Sequence, residues 1–91
     1  MIEKHIILDG IDPVGFYGAR NANLQMLKRL YSKLRIVARD NVIKVLGDEE
    51  EIERFEKAVE LLVEYCNKYN SLNEEAIIDA VNGKKRDKGS D

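Results

Sequence analysis

The sequence predicts a two-layer α+β sandwich, in which a three-stranded sheet carries helices on one face in the order β-α-β-β-α-α. Three observations predict this fold. On both sides of a two-residue Asp40-Asn41 turn, the residues of 34–47 alternate between an aliphatic set and a mixed set, as in a β-hairpin. Apolar residues at helical spacing follow for about five turns. Earlier, His5 to Leu8 is a short apolar run bounded by Asp9-Gly10, which predicts another strand.

The turn of the predicted hairpin decides which side chains share a face. A two-residue loop places Arg39 opposite Val42 and Ala38 opposite Ile43. One face is then aliphatic and is predicted to pack on the helices: Leu34, Ile36, Ala38, Ile43 and Val45. The other face mixes aliphatic side chains with three cations: Arg35, Val37, Arg39, Val42, Lys44 and Leu46. A slip of one residue would exchange the faces, so the assignment depends on the turn.

Between the first strand and the hairpin, the sequence predicts a loop and then a helix. Residues 11–18 contain Pro13, Gly15 and Gly18, which predict a loop. The aromatic residues of this loop, Phe16 and Tyr17, are expected to anchor it to the core. Asn21 is predicted to cap the helix that follows. Apolar residues of that helix lie three and four positions apart: Leu24, Leu27, Leu30 and Tyr31.

After the hairpin, the sequence predicts a long helix and a short one. Asp48 is expected to cap the long helix, which carries an apolar stripe from Ile52 to Tyr69. Asn73 is predicted to cap a short helix that runs through Val81 and ends at Asn82-Gly83. We expect residues 1–83 to form one domain. The segment 84–91 has no apolar residue to pack, so we expect a flexible linker or tail.

Composition limits the compartment and the chemistry of the 91-residue chain. The chain has one cysteine, which excludes an internal disulfide and favours a reducing compartment. No apolar run approaches the length of a membrane span, and the acidic start Met-Ile-Glu-Lys-His is unlike a signal peptide. The sequence therefore predicts a cytoplasmic protein that does not contact membranes.

No catalytic or metal-binding pattern stands out, so we expect this segment not to be an enzyme. The chain has neither a GxxxxGK[ST] phosphate loop nor a GxGxxG motif. Cys66 lies on the apolar stripe of the long helix, which predicts a buried, inert thiol. His5 has no nucleophile near it in sequence. The acidic run 48–51 suits a helix start without any metal. We therefore expect no cofactor and no metal in this segment.

The charge of the chain is distributed unevenly, although the net charge is only −2. Residues 1–46 hold eight Lys or Arg against four Asp or Glu, whereas residues 47–83 hold three against eleven. A basic half fits contact with a nucleic-acid backbone. A solvated face, or ion pairs with an acidic neighbouring domain, would explain it too. The candidate nucleic-acid contacts are Arg20, Arg35, Arg39 and Lys44.

The chain resembles the N-terminal domain of PhoH-like (phosphate starvation-inducible) ATPases over about residues 6–81. The matching features are Gly18-Ala-Arg-Asn-Ala-Asn-Leu24, Val37-Ala-Arg39, Val42-Ile-Lys-Val-Leu-Gly47 and the two helices 52–69 and 73–81. The family usually has Arg-Gly at the hairpin turn, where this chain has Arg39-Asp40. The layout is also similar to KH-type RNA-binding modules, although Gly18-Ala-Arg-Asn21 lacks the second glycine of their GxxG element.

The resemblance implies an accessory domain of an ATP-binding protein. The ATPase domain of that family follows this region, so residues 84–91 would begin the linker to it. ATP and magnesium are expected only in that domain. The resemblance and the basic half together favour RNA binding by the accessory domain. The alternative is docking on the ATPase domain of the same chain, or homo-oligomerisation, through the mixed face of the hairpin.

Overall fold

The structure is a computed structural model that describes residues 1–83, and it confirms the α+β fold with a three-stranded antiparallel sheet. The strands are β1 (Ile2–Ile7), β2 (Arg35–Arg39) and β3 (Val42–Gly47). The helices are α1 (Pro13–Tyr17), α2 (Ala22–Leu30), α3 (Glu49–Tyr69) and α4 (Glu74–Val81). A 3₁₀ turn at Ala19–Asn21 leads into α2. The predicted linker 84–91 lies outside the described residues.

The strand order is β1-β3-β2, so the second strand of the hairpin is the centre of the sheet. Arg39 lies opposite Val42 and Ala38 lies opposite Ile43, which confirms the predicted register. On its other side β3 pairs antiparallel with β1, with His5 opposite Lys44. The sequence does not specify this strand order.

The hairpin turn holds a residue in a left-handed conformation. Asp40 has φ +54°, in the region that suits glycine and is costly for most other residues. Asparagine and aspartate tolerate this region better than other non-glycine residues do. The two-residue turn that sets the register therefore forms here at some cost in backbone strain.

The helix side of the sheet forms the core, as the alternation predicts. Ile43 and Val45 of β3 are fully buried, and Leu34 and Ile36 are nearly so. The facing helices supply the other half of this core: Leu24, Leu27, Ile52, Phe55, Val59, Leu62 and Ile77. Apolar burial of this kind contributes about 25 cal/mol per Å² and is the main force that holds the two layers together.

The predicted loop at 11–18 is only partly correct, because it contains the short helix α1. A side-chain oxygen of Asp12 accepts a hydrogen bond from the backbone N–H of Val14 at 3.1 Å. Pro13 occupies the first helical position, where its missing N–H costs nothing. Phe16 and Tyr17 are buried, as predicted. Pro13, which the sequence analysis takes as a loop signal, thus begins a helix here instead.

The structure contains a capping hydrogen bond at one of the three predicted helix N-caps. The Asn73 side chain accepts a hydrogen bond from the N–H of Ala76 at 2.8 Å, which confirms its capping role. Asn21 and Asp48 occupy the N-cap positions of α2 and α3, but neither side chain makes a capping hydrogen bond. Those two predictions are therefore wrong in their hydrogen bonds, although both helices begin where they were expected.

Candidate functional site

No helix among residues 1–83 covers the face of the sheet opposite the core, and all three strands contribute to this face. The register aligns its side chains in three rows that cross the sheet. These rows are Arg35–Leu46–Glu3, Val37–Lys44–His5 and Arg39–Val42–Ile7. We call these nine residues the open face. Because the side chains of a strand alternate between faces, none of the nine contributes to the core beneath the helices.

Three of the four predicted contact residues lie together on the open face. Arg35 and Arg39 are exposed, and Lys44 is half-buried at the centre of the sheet. None of these three cations forms an ion pair or a hydrogen bond with another side chain among residues 1–83. Their charges are therefore available to an external anion.

The face holds a single carboxylate, and a histidine engages it. The imidazole Nε2 of His5 lies 3.2 Å from Oε2 of Glu3, two residues away on the same strand. His5 is half-exposed and lies directly across from Lys44. The face thus carries three cations against one carboxylate. The electrostatics of the open face are therefore cationic.

A shallow depression of about 410 Å³ lies at the hairpin end of the open face. Its lining takes a basic group from each strand: His5 from β1, Arg39 from β2 and Lys44 from β3. The remaining lining residues are Val37, Asp40, Asn41 and Val42. An anionic group placed here meets the cationic side chains of Arg39 and Lys44, with Asp40 as the one opposing charge of the lining.

Arg20 does not join the other predicted residues on the open face. It lies in the 3₁₀ turn before α2, with φ +54°. Its neighbourhood is a separate depression of about 480 Å³, which is also lined by Ala38 from the helix side of β2. Asp40 borders both depressions, so the hairpin turn separates Arg20 from the open face.

Aliphatic side chains are interspersed with the cations. Ile7 is 63% exposed and Val37 is 42% exposed, while Val42 and Leu46 are half-buried. Lys44 lies between Val42 and Leu46 along β3, so cations interrupt the apolar area. The nine residues of the face include no Phe, Tyr or Trp, and His5 is their one aromatic ring. The extended base-stacking platform that many sheet-type RNA binders use is therefore absent from these side chains.

Sequence reasoning missed the contribution of β1 to this face, namely Glu3, His5 and Ile7. The missing information was the strand order, which brings β1 beside β3. The alternation of β1 gives its own faces, but not which strand it pairs with. The sequence favours a surface or packing role for His5 over a general base, but it does not reveal that His5 lies opposite Lys44.

Other titratable groups lie away from the open face. Burial raises the pKa of the Cys66 thiol, with Asp12 adding to the effect, so the thiol stays protonated at neutral pH. Burial also raises the pKa of Tyr17, whose hydroxyl is buried without a hydrogen-bond partner. Within residues 1–83, no three His, Cys, Asp or Glu side chains are grouped as metal ligands would be.

Comparison with known proteins finds no matching family model, no matching curated protein and no matching solved structure. In the described part of the chain, no helix is both long and apolar enough to cross a membrane. The function must therefore be argued from the open face itself.

Proposed function

We propose that this chain is a non-catalytic accessory domain that binds single-stranded RNA through the open face of its sheet. The observation that carries the proposal is the set of three unpaired cations on one face: Arg35, Arg39 and Lys44. A phosphate in the depression at the hairpin end would meet Arg39 and Lys44 together. Since the face carries no Phe, Tyr or Trp, contact is mainly to the sugar–phosphate backbone and shows little sequence preference.

The number of cations sets the expected salt dependence of RNA binding. Each phosphate neutralised on a single strand contributes about −0.7 to the slope of log affinity against log salt. Three contacts give a slope of about −2, so affinity falls about 20-fold between 50 and 200 mM salt. Binding of this kind is weak by itself, which suits a domain that helps a larger protein hold its substrate.

Fluorescence anisotropy with a labelled oligouridine RNA tests the proposal. We expect Arg39→Ala with Lys44→Ala to abolish most of the binding at 50 mM salt. The matched control is Lys28→Ala with Arg29→Ala, which removes two cations from α2, away from the open face. If the wild-type chain shows no binding at low salt, or if both double variants weaken it equally, the proposal is wrong.

A second candidate function is protein docking, and the exposure of Ile7 and Val37 favours it. Exposed aliphatic side chains beside arginine are common in protein interfaces. The occupant would be an ATPase domain of the same protein or a second copy of this chain. Two substitutions distinguish the functions. Val37→Ser removes apolar contact and keeps the cations, whereas Lys44→Met removes charge and keeps the apolar stem.

The distinguishing measurements are RNA anisotropy and sedimentation velocity over a range of protein concentrations. RNA binding predicts that Lys44→Met weakens the complex and that Val37→Ser leaves it unchanged. Self-docking predicts concentration-dependent association that Val37→Ser reduces. A monomer at all concentrations would count against self-docking.

We also propose that the parent protein is a PhoH-like ATP-binding protein of the cytoplasm. The support is the resemblance at the hairpin and its flanks, together with the single buried cysteine. ATP and magnesium would then be bound by another domain of the parent. Sequencing of the parent gene beyond Asp91 tests this, since a GxxxxGK[ST] motif is expected there and its absence would overturn the assignment.

A further inference from the structure

The outer edge of β1 presents backbone groups that no strand pairs with among residues 1–83. The N–H of Leu8 donates to the carbonyl of Asn41 at 2.7 Å, which marks a hydrogen-bonded pair. Such pairs alternate along an antiparallel ladder, so the even-numbered residues of β1 bond to β3. The N–H and C=O groups of Glu3, His5 and Ile7 therefore point away from the sheet, where an added strand would find them.

A groove of about 550 Å³ runs beside this edge, between β1 and α3. Its apolar lining comes from both elements: Ile6, Ile7, Val59 and Val63. Ile7 is 63% exposed, against 45% for Ile2 and 42% for Ile78. We call this feature the edge groove. It places apolar surface next to unpaired backbone, which is the arrangement that binds extended peptides.

Acidic side chains border the edge groove on the helix side. Glu56, Glu60 and Glu64 follow one another at four-residue spacing, so they line one side of α3 about 6 Å apart. Across α3 as a whole, seven glutamates face three lysines or arginines. Glu60 is exposed and has no partner among the described residues. Lys4 already pairs with Glu56, so the carboxylate of this border that is open to a new partner is that of Glu60.

An ion pair within the domain shows that a lysine on a strand can reach the glutamates of α3. Lys4 is on the helix side of β1, and its Nζ lies 2.9 Å from both carboxylate oxygens of Glu56. An added strand would lie about 4.8 Å beyond β1. A lysine or arginine on its helix side would lay its stem over Val59 and Val63 and bring its charge to Glu60.

We propose that the edge of β1 binds an extended polypeptide segment that carries lysine or arginine at alternate positions. Backbone hydrogen bonds to Glu3, His5 and Ile7 hold the segment, and the glutamates of α3 select its charge. The segment adds a fourth strand to the sheet. The edge adjoins the open face along β1, because Glu3, His5 and Ile7 belong to that face, but the proposal does not depend on RNA binding there.

A second copy of the chain fits the edge less well than a basic segment. Two β1 strands that pair antiparallel, with the helices of both copies on the same side of the sheet, place one residue opposite its own copy. If the strands overlap fully, that residue is Lys4 or His5. This pairing then places two Lys4 or two His5 side chains opposite each other. It also brings the acidic borders of two α3 helices to the same seam, where they repel each other.

A titration of the isotope-labelled chain with a short synthetic peptide of alternating lysine and valine tests the proposal. We expect chemical-shift changes and slowed hydrogen exchange at the amides of Glu3, His5 and Ile7. A peptide of the same length with glutamate in place of lysine should not bind. Perturbations confined to other residues, or equal binding of the two peptides, would overturn the proposal.

Variants of the groove and of the β1 edge test the proposal further. Glu60→Lys should weaken peptide binding about five- to tenfold. The control Glu74→Lys, on α4, makes the same charge change away from the groove and should leave the affinity unchanged. His5→Pro removes one outward N–H without touching the β3 ladder and should also weaken binding, with folding checked by circular dichroism.

Two further readouts decide what occupies the edge. Arg39→Ala with Lys44→Ala should leave peptide binding intact even if it abolishes RNA binding. Sedimentation without peptide should show a monomer. If the chain self-associates and the same three amides become protected, a second copy occupies the edge and the proposal is wrong.

Discussion

The two faces of the sheet are built from alternate residues of the same strands, yet they differ in burial and in charge. On the helix side of β3, Ile43 and Val45 are fully buried. On the open face the same strand presents Val42, Lys44 and Leu46, all half-buried or less. The comparison teaches that a one-residue offset separates core from candidate binding surface. The turn at Asp40-Asn41, which fixes that offset, therefore has a functional as well as a structural consequence.

A matched pair of valines tests this contrast most strongly. Val45→Ala, on the helix side, should lower the free energy of unfolding by about 2–3 kcal/mol through lost burial and a residual cavity. Val37→Ala, on the open face, should cost less than about 1 kcal/mol because the side chain is already 42% exposed. Urea denaturation followed by circular dichroism measures both. Equal losses would show that the open face is covered in solution.

A substitution in the turn that sets this offset should have the next largest effect on stability. Asp40→Gly places glycine at φ +54°, where it carries no penalty from a Cβ atom. We expect the free energy of unfolding to rise by up to about 1 kcal/mol, because the relieved strain exceeds the added chain entropy of glycine in the unfolded state. The melting temperature should rise accordingly. The hairpin register should remain the same, as judged by cross-strand nuclear Overhauser effects between Ala38 and Ile43. A lower melting temperature would show that the Asp40 side chain stabilises the turn.

The smallest expected effect concerns the one charged residue on the helix side of β1. Lys4 pairs with Glu56, but the lysine side chain is 51% exposed. Surface ion pairs contribute about 0–1 kcal/mol, so Glu56→Gln should change the stability by less than about 1 kcal/mol. Raising the salt concentration should reduce the difference further. A larger loss in urea denaturation would mean that the helix side of β1 depends on charge as well as on burial.

The hairpin could be predicted in full from the sequence because its information is local. A two-residue turn and strict alternation determine both register and faces, and the structure confirms each pairing. The long helix is similarly local, since its apolar stripe continues for five turns or so. These are the elements whose patterns leave few alternatives.

Other features could not be predicted because they depend on contacts between distant segments or on competing uses of one residue. The pairing of β1 with β3 is long-range, so the roles of His5 and Ile7 were not visible. Pro13 can break a helix or begin one. Here it begins one, because the Asp12 side chain accepts a hydrogen bond from the N–H of Val14 and caps the helix. Asn21 and Asp48 occupy cap positions without capping bonds, which shows that residue type alone does not fix side-chain geometry.

The salt dependence of RNA binding tests the central proposal most directly. Anisotropy titrations with oligouridine RNA between 50 and 200 mM salt should give a slope of log affinity against log salt of about −2 for the wild-type chain. The variant Arg39→Ala with Lys44→Ala should give a slope near −0.7, because Arg35 alone remains on the face. Equal slopes for the two proteins, or no binding at 50 mM salt, would contradict the assignment of the open face as an RNA-binding surface.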